Sequence, residues 1–325
     1  MTDIHRFLET SIVESLSHFP AVYLNGPRQA GKSTLAYRLA REHMGADYLT
    51  FDNPNILAAA VEDPQGFVRS FTGPVVIDEV QLVPELFRVL KMRIDESRLE
   101  NKSGSYGQFL LTGSANVMAL PELSDALVGR MDVLTLHPLS SAEVLGAVPT
   151  FIQDVFVGNV GFKQGPLSKH AVAEMMGRAS FPEISLRPEL RASWFQSYLT
   201  TLLQRDVRAL AEIEKVNVLP KMLKLIAGRV CSTLNDSAMA SELGVNAMTF
   251  RRYRTLLSQL FMISYVPPWF RNVKKRLVKA PKIYMSDTLL LAELLDADIE
   301  KYDDIQGQAK GRLLENFVAC ELIKQ

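Results

Sequence analysis

The run Gly26-Pro27-Arg28-Gln29-Ala30-Gly31-Lys32-Ser33, continued by Thr34, fits the pattern G-x-x-x-x-G-K-[ST] without a mismatch. These residue types in this order suit a polyphosphate. Gly26 and Gly31 allow backbone angles and close approaches that a Cβ would block. Successive backbone N–H groups can then point at phosphate oxygens, and the positive end of a following helix adds to the attraction. Lys32 would reach the outer phosphates as a point charge, and the Ser33 hydroxyl would ligate Mg2+. Residues Gly26, Pro27, Arg28, Gln29, Ala30, Gly31, Lys32, Ser33 and Thr34 are therefore the candidate nucleotide-binding set.

A second set follows about 45 residues after the lysine. Pro74-Val75-Val76-Ile77 ends in Asp78-Glu79, an apolar run with two acids at its tip. Open α/β sheets bind ligands at that edge. Asp78 is the candidate Mg2+ residue, and Glu79 the candidate base that polarises a water for in-line attack on the γ-phosphate. Phe109-Leu110-Leu111 ends in Thr112-Gly113-Ser114-Ala115-Asn116. Ser114, backed by Thr112 and Asn116, is a candidate phosphate sensor; a turn capped by its own hydroxyls is the other reading. Arg130 is a candidate arginine finger, in cis or across a subunit boundary, or else half of a structural ion pair.

Such groups need a parallel sheet to hold them. Ala21-Val22-Tyr23-Leu24 reads as a buried strand before the glycine loop, and Thr34 to Arg41 as an amphipathic helix after it. Further strands are expected at Asp47–Phe51, at Pro74–Ile77, at Phe109–Leu111 and at Val133–Leu136, with helices over 4–18 and 83–94. Asn53-Pro54 breaks the second strand, where Asp52 either contacts the site or caps the next helix. The fold class is thus α/β, a mostly parallel sheet covered by helices. N-K-x-D and L-S-G-G-Q do not occur, which disfavours a guanine reader and a transport-type cassette ATPase.

Composition adds bounds. The chain has 325 residues, enough for two or three domains, with 36 acids against 36 bases, so any nucleic-acid signal must be local. The two cysteines, Cys231 and Cys320, have no C-x-x-C neighbour, so a reducing cytosol is the simplest compartment. MTDIHRFLET lacks the apolar core of a signal peptide, and no long apolar run suggests a membrane span.

The blocks GPRQAGKST, VVIDEVQLVPELF, FLLTGSAN and LVGRMDVLTLHPLSSAE together resemble a bacterial and archaeal AAA-type P-loop ATPase family. The resemblance implies an additional-strand P-loop core that binds ATP with Mg2+ and hydrolyses it slowly. Lys32, Ser33, Asp78 and Glu79 fall directly on the motif positions, while Ser114 and Arg130 correspond more loosely. It also implies a winged helix, then a restriction-nuclease-like domain of which only the opening helix, with Glu315 as first acid, would be present. No nuclease activity is expected.

The expected domains are 1–150 for the nucleotide module, 151–215 for a linker and helical lid, 216–285 for a winged helix-turn-helix, and 286–325 for the start of the nuclease-like part. Residues 150–170 show weak periodicity and read as a loop. Arg205 and Arg208 could reach phosphate from a lid, though a solvated face is the plainer reading. Gly244 stops one short helix, and Asn246 caps the next, on which Arg251, Arg252 and Arg254 fall mainly outside a buried stripe. Strands at Met262–Val266 and Lys282–Met285 would flank a wing carrying Arg271, Lys274, Lys275, Arg276 and Lys279.

The expected function is an Mg2+-dependent ATPase coupled to a winged helix that contacts DNA through Arg251, Arg252, Lys274 and Lys275. A non-catalytic nucleotide-binding regulator or protein-interaction switch, a homo-oligomer among them, is the alternative; a small-molecule kinase is a third.

Overall fold

A computed structural model describes residues 4–100, 106–114, 129–159, 161, 167–206, 217–272, 274, 276 and 279–325. It divides into two compact units, one of residues 5–137 and one of residues 1–4 with 138–325.

The first unit runs α1 (Leu8–His18), β1 (Ala21–Asn25), α2 (Lys32–Leu39), β2 (Asp47–Thr50), α3 (Pro54–Glu62), α4 (Pro64–Arg69), β3 (Val75–Asp78), α5 (Leu86–Leu99), β4 (Phe109–Gly113) and β5 (Met131–Thr135). The five strands form one parallel sheet in the order β2-β3-β4-β1-β5. Both faces are covered, which is why β1, β3 and β4 read as continuous apolar runs rather than alternations. Ala21, Tyr23, Val75, Ile77, Phe109 and Leu111 pack on one face with Phe87, Leu90 and Ile94 of α5. Val22, Leu24, Val76 and Leu110 pack on the other with Ile12 of α1 and Leu35 and Leu39 of α2. Each such large apolar side chain contributes about 1.5–3 kcal/mol on burial. Strand β4 lies between β1 and β3, so its tip stands between the glycine loop and the acid pair.

The second unit contains α6 (Ser141–Leu145), α7 (Phe151–Phe156), α8 (Lys169–Arg178), α9 (Pro182–Leu186), α10 (Arg191–Thr201), α11 (Val218–Ala227), β6 (Ser232–Thr233), α12 (Asp236–Glu242), α13 (Ala247–Gln259), β7 (Ile263–Val266), β8 (Lys282–Met285), α14 (Thr288–Leu294) and α15 (Gln308–Ile323). One apolar core, from Met176 to Phe317, joins α8 to α15, while α7 buries no side chain. Strands β6, β8 and β7 form an antiparallel sheet in that order. The Asn235 side chain caps α12, Gly244 ends it with a positive φ of 65°, and Asn246 accepts from the Thr249 N–H at 2.7 Å to start α13. Phe250, Tyr253, Leu256 and Leu257 bury one side of α13.

Some local expectations are corrected. Asn53, not Asp52, caps α3, accepting from the Asn55 N–H at 3.0 Å. Pro54 and Pro64 open α3 and α4 from first-turn positions, where a missing N–H costs nothing. Helix α7 occupies part of the stretch read as a loop. The first compact unit ends at His137; beyond it the Leu139 N–H bonds to the Ser180 carbonyl and the Ser141 hydroxyl to Glu321.

Candidate functional site

The loop after β1 is shaped by two close constraints. Gly26 has φ 144°, and a Cβ there would overlap the Leu136 carbonyl. Gly31 has φ 96° at the start of α2, and Gln29 between them is also left-handed at φ 61°. The first N–H groups of α2, from Lys32 on, have no preceding turn of helix behind them and face the loop's concavity. Lys32 is 4% exposed and donates to the carbonyls of Gly26 at 3.0 Å and Pro27 at 2.9 Å. Its ammonium is thereby held at the mouth of the cradle.

Burial pushes the Lys32 pKa down from 10.5 to about 8; the charges of Glu79 and Asp78 oppose the shift, and Arg28 adds to it. The unfolded chain thus binds more protons than the folded one between about pH 8 and 10.5, so this group penalises folding below pH 8 and the penalty lifts as pH rises. Phosphate needs the charged form. Nucleotide affinity is therefore expected to fall as pH rises through about 8, by up to about tenfold per unit, and a pH series of nucleotide titrations checks it.

Asp78, at the tip of β3, is 3% exposed. Its carboxylate accepts from the hydroxyls of Ser33 at 3.0 Å, Thr50 at 3.3 Å and Thr112. The Tyr48 hydroxyl lies against the same carboxylate; burial first, then the Asp78 charge, raises its pKa. The chain then turns through Glu79 in the left-handed region, φ 59°, with the Glu79 N–H donating to Thr112 Oγ1 at 3.2 Å. A non-glycine residue held there costs on the order of 1 kcal/mol or more, and such residues gather at functional sites. The turn aims the two neighbouring carboxylates at different partners. Glu79 accepts from the Gln81 side-chain amide and from Ser114 Oγ at 3.4 Å, and Gln81 also donates to Ser114 Oγ at 3.2 Å. Gly113 is compelled here, since a Cβ would meet the Tyr23 hydroxyl and the Gln81 amide.

The donor set fits a hard divalent cation: a hydroxyl and a buried carboxylate in hydrogen-bond contact beside a phosphate cradle, with no sulfur or imidazole among them. Lys32, Ser33, Asp78, Glu79, Thr112 and Ser114 come together at one sheet edge. Asn116 lies outside the described residues.

Arg130 does not join them. Its guanidinium pairs with Asp95, Nε to Oδ1 at 2.5 Å and Nη2 to Oδ2 at 3.1 Å, and its carbonyl accepts from the N–H of Ala21, the first residue of β1. The phosphate loop follows the other end of β1, roughly 13 Å away at ~3.3 Å per residue. The cis arginine-finger role is therefore corrected to a structural ion pair.

Sequence reasoning missed Arg6. It is 7% exposed and donates to the Ala30 carbonyl of the loop at 2.8 Å and the His137 carbonyl at 2.6 Å. It also missed the parts played by Thr50, Tyr48 and Gln81.

In the second unit, Arg251 Nε and Arg254 Nη2 both donate to Asp236, at 3.0 and 3.3 Å, and Arg254 lies over the Tyr265 ring. Arg251, Arg252 and Lys274 are exposed. Lys275 and Arg208 lie outside the described residues, as does the side chain of Arg205. Glu315 accepts from Lys282 at 2.7 Å and Tyr284 at 3.0 Å, and the Lys282 bond, then that of Tyr284, hold its carboxyl below the usual range.

Residues 18–145 match the family model described as an AAA domain, and residues 169–301 match one described as a domain of unknown function, DUF8612. Two curated relatives, uncharacterized proteins of Mycobacterium bovis and Mycobacterium tuberculosis, are each 28% identical over 312 residues, 94% of this chain; the chain spans 64% of their length. Among solved structures, similarity extends to a Walker-type ATPase of Pyrococcus abyssi (13% identity, 90% of this chain and 96% of that one, TM-score 0.49). It extends also to the RuvB Holliday junction branch migration motor of Thermotoga maritima (18%, 84% and 95%, TM-score 0.36). The sheet order and the match to the AAA-domain model over 18–145, not these scores, support the fold: an α/β domain with a parallel sheet behind a phosphate-type loop. Among the described residues, no helix is long and apolar enough to cross a membrane.

Proposed function

We propose that the protein, whose residues 18–145 match the family model described as an AAA domain, is a slow, Mg2+-dependent ATPase whose nucleotide state is passed to a winged-helix module that contacts DNA. The observation that carries the catalytic half is the Ser33–Asp78 bond at 3.0 Å, with Glu79 turned away from it toward Ser114. This divergence supports a reading in which one carboxylate serves a cation and the other a water.

In this reading the loop amides and Lys32 hold the phosphates, while Ser33 and Asp78 hold Mg2+. Bound there, the ion would supply positive charge that offsets the negative charge developing in phosphoryl transfer. Thr50, Thr112 and Tyr48 keep the Asp78 carboxylate oriented. Glu79 would accept the proton of the attacking water, and Ser114, 3.4 Å from Glu79, would serve as the γ-phosphate sensor. Gln81 and Ser114 both meet Glu79 Oε2, so in this reading the other carboxylate oxygen serves the water. Steady-state phosphate release with ATP and Mg2+ tests the assignment. Binding without release would favour the regulator reading instead.

Arg6 supports the coupling. It ties the phosphate loop to the His137 carbonyl, the last residue of the nucleotide unit. Two residues on, the Leu139 carbonyl accepts from Lys324 at 2.8 Å and its N–H donates to Ser180. A loop movement on phosphate binding is thereby felt where the chain enters the second unit.

The winged-helix reading draws on the order α11, β6, α12, α13, β7, β8 and on the capped turn between α12 and α13. DNA contact draws on the exposed bases of α13 and of the β7–β8 connection. Duplex affinity is expected to be salt-sensitive and to fall about tenfold or more when Arg251, Arg252, Lys274 and Lys275 become Glu, measured by anisotropy at fixed salt. Unchanged affinity in that variant would reject this surface.

A further inference from the structure

The connection between β7 and β8 carries more than charge. Trp269 is 72% exposed and Phe270 beside it 37%, in a stretch from Pro267 to Pro281 that contains no acid. Arg271, Lys274, Arg276 and Lys279 are exposed along it. The Arg276 guanidinium lies over the Trp269 ring, 5.1 Å from its centroid, and its Nε donates to the Phe270 carbonyl. One face of the indole is therefore backed by a cation that is itself fixed to the loop. With that cation against it, Trp269 still keeps 72% of its surface exposed.

A large aromatic face left in water is unfavourable, and here nothing in its own loop repels an anion. An exposed indole framed by bases is complementary to one kind of ligand in particular, a planar ring attached to a phosphate chain. In a duplex the bases are stacked on one another and closed to such a face. In an unpaired strand they are available, and base-on-aromatic stacking is tolerant of sequence. An acidic peptide would use the charges but leave the indole idle. We infer that the Trp269–Arg276 stack is a binding site for an unpaired base of single-stranded nucleic acid, with Arg271, Lys274 and Lys279 along its phosphates. The inference deepens the nucleic-acid part of the proposed function and rests on it.

The chain has two tryptophans, and Trp194 is packed against Phe181 and Tyr198 in the core. The emission difference between the wild type and Trp269→Phe thus reports Trp269 alone. The full chain is titrated with oligothymidylate, oligouridylate, a blunt duplex and anionic phospholipid vesicles, and affinities are read in parallel by anisotropy of labelled strands. The expected results are quenching of the Trp269 emission by a single strand and a loss of single-strand affinity of about 5- to 100-fold in Trp269→Ala. Trp269→Phe retains most of the affinity, and duplex affinity changes less than twofold. The oligouridylate arm tells RNA from DNA. Duplex binding with no quenching and no effect of Trp269→Ala overturns the stacking site and leaves the proposed function standing. Binding of neither strand form removes both. A blue shift with vesicles and no quenching by oligonucleotides overturns the inference in favour of a membrane-facing loop.

Discussion

Lys32→Ala is expected to weaken the binding of ATP with Mg2+ by at least about 100-fold. The Lys32 ammonium is the charge held inside the loop, by the carbonyls of Gly26 and Pro27. Hydrogen bonds to charged groups contribute about 1.5–3 kcal/mol each, and 1.4 kcal/mol is a factor of ten in affinity. Losing two such bonds to phosphate oxygens gives the stated effect. The same substitution removes a buried cation whose pKa is already pushed down by desolvation. The free protein should therefore melt no lower than the wild type, while the rise in melting temperature caused by nucleotide disappears. A thermal-shift series with and without nucleotide checks both halves. A variant that keeps the nucleotide-dependent rise would remove Lys32 from the phosphate site.

Glu79→Gln is expected to bind ATP within a few-fold of the wild type and to turn it over about 100-fold more slowly or worse. Proton transfer by a positioned side chain contributes about 10²–10⁴-fold in rate. The amide keeps the shape and loses the base. Glu79 is not part of the loop that holds the phosphates, and its contacts are to Gln81 and Ser114. The expected signature is a fall in kcat with little change in affinity, which separates it from the Lys32 variant. Phosphate release measured at saturating ATP reads it directly. Turnover at the wild-type rate would show that Glu79 is not the base.

The site was legible to the extent that chemistry is written in short spacing. Gly26, Gly31, Lys32 and Ser33 stand within eight residues of one another, and each type has a physical reason to be there. Val75 to Asp78 could be placed because a two-sided buried strand has an unmistakable composition. That β4 lies between β1 and β3 was not legible, since no local pattern encodes strand order. What stayed hidden was long-range. Arg6 belongs to no motif, and nothing near it marks it as the residue that grips Ala30 and His137. Thr50 and Tyr48 read as strand residues until the parallel register sets Thr50 against Asp78.

The misplacement of Arg130 had an available signal. It immediately precedes a strand, and in a parallel sheet whose glycine loop follows a strand, that position is at the opposite edge. A helix after Asn53-Pro54 was expected, but α4 was not read, although Pro64 suits a first helical turn as Pro54 does. Helix α7 was missed because it buries no face, so there was no periodicity to find. In the second unit the cap Asn246 was readable, because it is a local bond to an N–H three residues on.

The claim on which the rest depends is that the loop from Gly26 to Ser33 and the tip of β3 together hold a nucleoside triphosphate with its cation. Calorimetric titration of magnesium–ATP into the folded wild-type protein tests it most directly. The account predicts a saturable heat with one nucleotide per chain, lost in Lys32→Ala. No heat from any adenine nucleotide with magnesium, on protein shown to be folded by a cooperative melt, would contradict it.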